Sequence, residues 1–220
     1  PVITHKVEYH WTNRLAFDTI IEAKNVANRT SHWNVPIYNN IMEAIDITKD
    51  LEGDVCEIGV YLGGSSVIAG IYMRKLKELG KIKDKNLFLF DTFDGFNYNE
   101  SQNSSDQIWN NTHKLFGMEQ TIKHVAETLT MVGVDCELFC CNICTNNLPE
   151  KIQKISVVNI DVDMYEPTID ALNKVSDLVV SGGIIICEDP SSTPALYGGY
   201  MAMNEFLESE KGKQYIKVFK

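Results

Sequence analysis

The sequence predicts an α/β fold: a mostly parallel β-sheet with helices on both faces, preceded by an N-terminal helical cap. Two observations predict this class. From Asp54 onward, short runs rich in β-branched and aromatic residues alternate with segments of helical character. Acidic residues directly follow several of these runs, and open parallel sheets bind ligands beyond the carboxyl ends of their strands. We therefore expect the functional residues at the strand ends.

The elements follow in order along the chain. Residues 1–52 are mostly helical in pattern and are interpreted as a cap of the same domain, which 53–220 complete. Ser65 to Leu79 is predicted to be a helix that Gly80 ends, and Pro167 suits the first turn of a later helix. The predicted strands are Asp54–Val60, Asn86–Asp91, Glu137–Cys141, Ser156–Asp161, Gly183–Cys187 and Gln214–Phe219. The polar, aperiodic segment Asn97–Asn111 is predicted to be a loop that acts as a lid.

Composition argues against several classes of protein. Thirty acidic against twenty basic residues give a formal net charge of −10, which repels polyphosphates and argues against nucleic acid as a partner. The longest apolar run, Leu178 to Cys187, is about half a bilayer span, so no membrane insertion is expected. No signal-peptide pattern is present, and four of the six cysteines crowd between Cys136 and Cys144. A cytoplasmic location with reduced thiols is therefore predicted.

A glycine-rich turn joins the first strand to the next helix. Gly59, Gly63 and Gly64 allow a ligand to approach the backbone closely, and the N–H groups that begin the helix favour a carboxylate or phosphate. The spacing is G-x-x-x-G-G, which departs from the dinucleotide pattern G-x-G-x-x-G and argues against NAD. A tight turn with a purely structural role is the alternative.

Acidic residues at strand ends are the second group of candidates. Asp91 ends the second strand, where it could accept hydrogen bonds from both hydroxyls of a ribose. The alternative is a helix N-cap or an ordinary loop acid. Asp161, Glu188 and Asp189 follow two further strands, and three converging carboxylates repel one another unless a cation lies between them. Oxygen ligands favour Mg²⁺, or Mn²⁺ or Ca²⁺. Dispersed, solvated acids are the alternative.

Four motifs together carry a family resemblance. They are E-x-G-V-x-x-G-G-S, F-D-T-F-x-G, D-x-D-x-Y-E-x-T and G-G-x-I-I-x-E-D, in this order between Gly53 and Phe206. In this combination the sequence resembles the macrocin O-methyltransferase family, whose members use S-adenosylmethionine and a divalent metal ion to methylate sugar hydroxyls. The resemblance implies a seven-stranded, Rossmann-like class I methyltransferase fold.

The resemblance also implies roles for individual residues. The methionine end of the cofactor would contact Glu57, Gly59, Gly63, Gly64 and Ser65. Asp91 would bind the ribose, and Asn142 and Ile143 would lie near the adenine. The metal ligands would be Asp161, Glu188 and Asp189, with Glu188 in place of the more usual Asp.

His113 is the candidate general base. The family has a histidine between the lid and the helix before the third strand, and a count along the chain brings that position to within one residue of His113. An imidazole titrates near neutral pH and can accept the proton of a hydroxyl. The related catechol methyltransferases have a lysine shortly after the first metal aspartate, whereas this chain has Val162-Asp-Met164. An ordinary loop histidine is the alternative, and His124 is expected at the surface.

Three further motifs either have a structural interpretation or leave two interpretations open. Cys141-Asn-Ile-Cys144 lacks a second cysteine pair for zinc, so buried, inert thiols are expected. Trp109 in the lid is a candidate platform for a sugar ring. The segment Tyr197-Gly-Gly-Tyr200 is either part of the acceptor wall or a plain loop.

The predicted activity is therefore metal-dependent transfer of a methyl group from S-adenosylmethionine to a sugar hydroxyl of a glycan or glycosylated metabolite. The alternatives are a catechol-like O-methyltransferase, a non-catalytic module that binds S-adenosylmethionine and, last, an NAD-dependent oxidoreductase. A homo-oligomer is left open. So is a domain of a larger glycan-assembly protein, because the chain lacks an initiator Met and only one strand is predicted after the last helix.

Overall fold

A computed structural model describes residues 13–30, 33–104, 106–188 and 197–218. Asp189, the third predicted metal ligand, lies outside these ranges, as does the first part of the predicted cap, residues 1–12. Within the described ranges, no helix is long and apolar enough to cross a membrane.

Five parallel strands form the sheet of the described residues, in the order β3-β2-β1-β4-β5. They are β1 (Asp54–Ile58), β2 (Leu87–Asp91), β3 (Glu137–Cys140), β4 (Ile155–Ile160) and β5 (Val179–Cys187). The predicted α/β class and parallel sheet are confirmed. The strand order reverses between β1 and β4, the type of position at which such sheets form a ligand-binding crevice.

Seven α-helices accompany the strands in the described residues. They are α1 (Arg14–Ala23), α2 (Val35–Thr48), α3 (Gly64–Glu78), α4 (Asn99–Asn103), α5 (Met118–Met131), α6 (Tyr165–Val175) and α7 (Tyr197–Glu208). Helices α1 and α2 confirm the helical character predicted for the N-terminal segment. Both pack against α3, and α2 also contacts β4 and β5, so α2 covers part of the sheet itself.

The core lies on both faces of the sheet, because successive side chains of a strand point to opposite sides. Val55, Leu89 and Val157 pack with α1, α2, α3 and α5 on one face. Ile58 and Phe90 pack with α6 and α7 on the other. All six residues of β4 are buried, as expected for a central parallel strand. The apolar strands thus hold their carboxyl ends in one row, where the site lies.

The predicted strand Gln214–Phe219 is wrong over the residues described. Gly212–Gln214 form a 3₁₀ turn, and 215–218 form no strand. The Tyr215 ring packs 5.9 Å from that of Phe206, and the Tyr215 hydroxyl donates to Ser176 O over 2.8 Å. These contacts hold the segment against α6 and α7 rather than in the sheet.

The predicted lid is more ordered than a loop. It contains α4 and a 3₁₀ turn at Gln107–Trp109, and the Ser101 hydroxyl ties the helix down by donating to Phe96 O over 3.0 Å. Asp106 joins the lid to two other helices. Its Oδ2 accepts the Tyr165 N–H that begins α6 at 2.7 Å, and its carboxylate touches the Gly198 backbone near the start of α7. The segment Tyr197-Gly-Gly-Tyr200, for which both an acceptor wall and a plain loop were open, is the first turn of α7.

Candidate active site

A cavity of about 450 Å³ opens at the carboxyl ends of the strands. Each of the five strands contributes a lining residue at or just after its end. They are Gly59, Asp91, Asn142, Asp161 and Glu188. His113 and Ile143 line the same cavity, whereas Glu57, Gly63, Gly64 and Ser65 do not. Seven of the predicted site residues therefore share one space, which has the size of a small-molecule site.

Asp91 is bound by the backbone around it. Its Oδ2 accepts N–H groups of Val60 at 2.7 Å and Tyr61 at 2.9 Å, and its Oδ1 accepts that of Phe93 at 2.6 Å. Burial raises the pKa of this carboxyl, and the backbone hydrogen bonds oppose the rise. Asp91 thus links the turns after β1 and β2. Since a carboxylate has about four acceptor positions, capacity for a ligand hydroxyl remains at Oδ1.

Gly59 has a structural reason to be glycine. Its φ is +93°, and a Cβ there would lie 1.8 Å from Asp161 O, the backbone oxygen just after β4. The close approach of these two strand ends therefore requires glycine, and it fixes the backbone from which the Asp161 side chain projects. Gly63, with φ +80°, directly precedes α3. Both positions therefore have a structural need for glycine, and contact of either with a cofactor stays a prediction.

Glu57 is buried beneath the turn rather than exposed in the cavity. Its carboxylate accepts hydrogen bonds from the hydroxyls of Ser65 and Ser66 and from Asn159 Nδ2, the last at 3.1 Å. These partners join β1, the first turn of α3 and β4. Burial raises the pKa of Glu57, and the three hydrogen bonds oppose the rise. Direct contact of Glu57 and Ser65 with a cofactor stays a prediction.

The Glu57→Gln variant is expected to change how stability depends on pH. A carboxyl whose pKa is higher in the folded chain stabilises it most below the ordinary value of 4.5. That contribution is lost as pH rises through the folded pKa, at no more than about 1.4 kcal/mol per pH unit. Gln cannot titrate, so the free energy of unfolding should decline less between pH 5 and pH 8. Urea denaturation at pH 5 and at pH 8 measures the free energy of unfolding. The exposed Glu150→Gln variant is the control. Equal declines in the wild type and in Glu57→Gln would contradict the expectation.

The acids after β4 and β5 lie on one wall of the cavity. Asp161 and Glu188 both line it, and the Glu188 N–H donates to Ile160 O at 3.1 Å, so the two strand ends run side by side. Within the described ranges, however, no three His, Cys, Asp or Glu side chains are grouped to hold a metal ion. The described donors alone do not make a complete metal centre, so no chemical step is assigned to a bound metal ion.

His113 is held among aromatic rings at the cavity wall. Its imidazole meets the rings of Tyr61 and Phe96 edge-on, with centroids 5.6 and 5.0 Å away, and Trp109 lies at 6.4 Å. Thr112 Oγ1 lies 2.9 Å from Nδ1. His124 does not line the cavity, and its Nε2 lies 2.7 Å from Arg29 O. Of these two histidines, only His113 is therefore placed to meet a bound acceptor.

The residues after β3 connect the cavity to the lid. Asn142 Nδ2 donates to Glu100 Oε2 of α4 at 2.9 Å, and Asn142 Oδ1 accepts the Cys144 N–H at 3.0 Å. Ile143 is buried against the cavity. The side chain of Asn142 is thus engaged within the protein, which leaves the apolar surface of Ile143 and the backbone to meet a flat ring.

All six cysteines lie in the described part of the chain, and all are free thiols. Cys141 is buried and Cys144 half-buried, and burial raises the pKa of Cys144 to about 12, consistent with an inert thiol. Cys140 is exposed, which corrects the expectation of buried thiols throughout this cluster. Cys140 ends β3, which is an edge strand of the described sheet.

Three of the cavity residues that were not predicted from the sequence share an unusual backbone geometry. Tyr61, Phe93 and Asp163 line the cavity with φ of +48°, +53° and +60°, and His113 shares this left-handed geometry at +60°. Non-glycine residues rarely adopt it, and such strain is concentrated at functional sites. Asp163 belongs to the D-x-D motif, which was the available signal. Nothing in the residue types marks Tyr61 or Phe93.

Known proteins that are similar to this chain are O-methyltransferases. The macrocin O-methyltransferase (TylF) family model matches residues 36–217. A curated relative, the demethyldecarbamoylnovobiocin O-methyltransferase of Streptomyces niveus, is 23% identical over 175 residues, which cover 76% of this chain and 65% of the relative. The chain thus spans just under two thirds of that protein's length.

Two solved structures show the same fold. The O-methyltransferase NovP superposes with a TM-score of 0.68 at 17% identity, covering 88% of each chain. The calicheamicin methyltransferase CalS11 gives 0.61 at 17% identity, covering 87% of this chain and 84% of its own. These likenesses confirm the predicted Rossmann-like methyltransferase fold. Because the family model matches most of its length, the chain belongs to the macrocin O-methyltransferase family, as its motifs predicted.

Proposed function

We propose that this protein transfers a methyl group from S-adenosylmethionine to a hydroxyl of a sugar unit in a glycan or glycosylated metabolite. One observation carries the proposal: His113, Asp91, Asp161 and Glu188 line one cavity in a chain of this family. The six free thiols are consistent with a cytoplasmic location, which is part of the proposal.

The lining suits a positively charged cofactor. Asp91, Asp161, Asp163 and Glu188 contribute carboxylates, and the lining residues among those described include no lysine or arginine. When bound, S-adenosylmethionine supplies a methyl group on a positively charged sulfur, which such a field stabilises. Asp91 Oδ1 would accept a ribose hydroxyl, and Ile143 would pack against the adenine.

His113 would then accept the proton of the acceptor hydroxyl. As the oxygen attacks the methyl carbon, the bond from that carbon to sulfur breaks and the hydroxyl proton passes to the imidazole. The products are the methyl ether, S-adenosylhomocysteine and a proton that His113 later releases to solvent. Alignment and proton removal are the protein's contributions, since the methyl group arrives already activated.

The His113→Gln variant is expected to lower kcat by about 10²–10⁴-fold, the range for loss of a general base. Binding of S-adenosylhomocysteine, measured by calorimetry, should change little, because Gln keeps a polar side chain of similar length. His124→Gln is the matched control and should retain activity, since His124 contacts Arg29 rather than the cavity. Full activity of His113→Gln would remove this residue from the mechanism.

A sugar acceptor is favoured over a phenol by two observations. The Trp109 ring lines the cavity, where it can stack on the apolar face of a sugar. CalS11, whose ligand-free structure is also similar to this chain, is a TDP-rhamnose 3'-O-methyltransferase. The catechol alternative lacks support because no lysine closely follows Asp161.

We further propose that the reaction depends on a divalent metal ion. Asp161 and Glu188 are hard oxygen donors of the kind that Mg²⁺ prefers, and Asp189 would supply the third.

The experiment that tests the whole proposal is a methyl-transfer assay with glycosides and catechols, each with and without EDTA, followed by readdition of Mg²⁺. Transfer to glycosides, lost with EDTA and restored by Mg²⁺, is expected. Transfer to catechols alone would contradict the proposed sugar acceptor, and activity unaffected by EDTA would contradict the proposed metal dependence. Cofactor binding without transfer to any hydroxyl would indicate a non-catalytic module.

A further inference from the structure

Thr112 contacts the imidazole of His113 in a way that determines where the ring carries its hydrogen. Thr112 Oγ1 donates to Trp109 O over 2.6 Å and lies 2.9 Å from His113 Nδ1. A hydroxyl has a single hydrogen, so one that donates to the carbonyl can only accept from the ring. Nδ1 must then carry the hydrogen of the neutral imidazole, and Nε2 must carry the lone pair.

The backbone around Thr112 is fixed by hydrogen bonds to Trp109 in the lid and to Phe96 just before the lid. Thr112 O accepts the Phe96 N–H at 3.1 Å, and the Thr112 N–H donates to Trp109 O at 3.0 Å. Gly95 packs so closely that a Cβ there would lie 2.4 Å from Thr112 O. These contacts hold His113 at its φ of +60°, a geometry that persists only where the surroundings impose it.

The aromatic neighbours restrict the ring itself. Tyr61 and Phe96 meet the imidazole at interplanar angles of 75° and 69°. The ring plane, the hydrogen on Nδ1 and the lone pair on Nε2 are therefore set before any acceptor binds.

We propose that Thr112 is a positioning residue that holds His113 in the Nδ1–H tautomer and so presents Nε2 as the proton acceptor. The second half of this statement rests on the proposed function, because it takes His113 to be the base. The tautomer is a property of the folded chain and can be measured without substrate.

Two variants of Thr112 separate the hydroxyl from the side-chain shape. Thr112→Val keeps the shape and removes the hydroxyl, whereas Thr112→Ser keeps the hydroxyl. The ¹⁵N chemical shifts of the imidazole nitrogens, recorded with ¹⁵N-histidine labelling at a pH where the rings are neutral, report the tautomer. The missing signals of the His113→Gln variant assign them.

We expect the Nδ1–H tautomer in the wild type and in Thr112→Ser, and a shift toward Nε2–H in Thr112→Val. The kcat of Thr112→Val should fall about tenfold or more with little change in KM, by analogy with other bases held in the wrong tautomer, and Thr112→Ser should restore it. An Nε2–H signal in the wild type, or identical spectra for all three proteins, would overturn the role of Thr112. A changed tautomer with unchanged kcat would uphold it and instead reject His113 as the base.

Discussion

Replacing Gly59 by alanine is expected to destabilise the fold by about 3–5 kcal/mol or to prevent folding. The added Cβ would lie 1.8 Å from Asp161 O and 2.6 Å from Asp161 C, which are backbone atoms that no rotamer change can move. Relief would require β1 and β4 to separate where Asp161 N donates to Ile58 O over 2.9 Å. Urea denaturation, with soluble yield as a second measure, checks the prediction.

Gly80→Ala is the matched control for the backbone conformation. Gly80 also has a positive φ, +62°, but a Cβ there would meet nothing within 4 Å. Only the left-handed strain should remain, at about 1–2 kcal/mol. If both variants lost the same free energy of unfolding, the close approach of the two strand ends would be the wrong explanation for Gly59.

Asp161→Ala is expected to lower kcat by at least about 10²–10³-fold, the range for removal of a preorganised polar group from an active site. Asp161 lines the cavity directly after β4, where its carboxylate can meet a bound ligand. Binding of S-adenosylhomocysteine should be largely intact, because the proposed ribose contact belongs to Asp91. Single-turnover kinetics and calorimetry separate these two effects.

Asp161→Asn sharpens this test because it keeps an oxygen and nearly the same shape. We expect it to lose most of the activity and to fold as the wild type does. Wild-type turnover in Asp161→Asn would show that the charge is dispensable. Loss of folding in both variants would assign Asp161 to stability instead, a result that circular dichroism would reveal.

The arrangement of the site could be predicted because parallel strands end at a common edge. Apolar strands such as β4, buried along its whole length, are recognisable in sequence, and whatever follows them must lie near its neighbours. That reasoning brought Asp91, Asp161 and Glu188 to one cavity. It could not show that Asp91 also holds two turns together, since its backbone partners come from different parts of the chain.

Other features depended on contacts that local pattern does not encode. Ile216 and Val218 alternate with polar neighbours as in a strand, yet they are 90% and 80% exposed, because Tyr215 anchors the segment to a helix. The positive φ of Tyr61 and Phe93 likewise comes from the packing of the turns and not from residue type. Glu57 matched a motif for cofactor contact, but its position under the turn is held by hydrogen bonds from the first turn of α3 and from β4.

The attachment of Asp106 has a practical consequence for redesign of acceptor choice. This carboxylate binds the first N–H of α6 and fills the space left by the absent side chain of Gly198. Exchanging the lid alone for that of another member of the family would therefore leave the α6 amide without its acceptor and open a gap beside the helices. A functional chimera has to transfer three non-contiguous pieces together: the lid, the first residues of α6 and the glycine of α7.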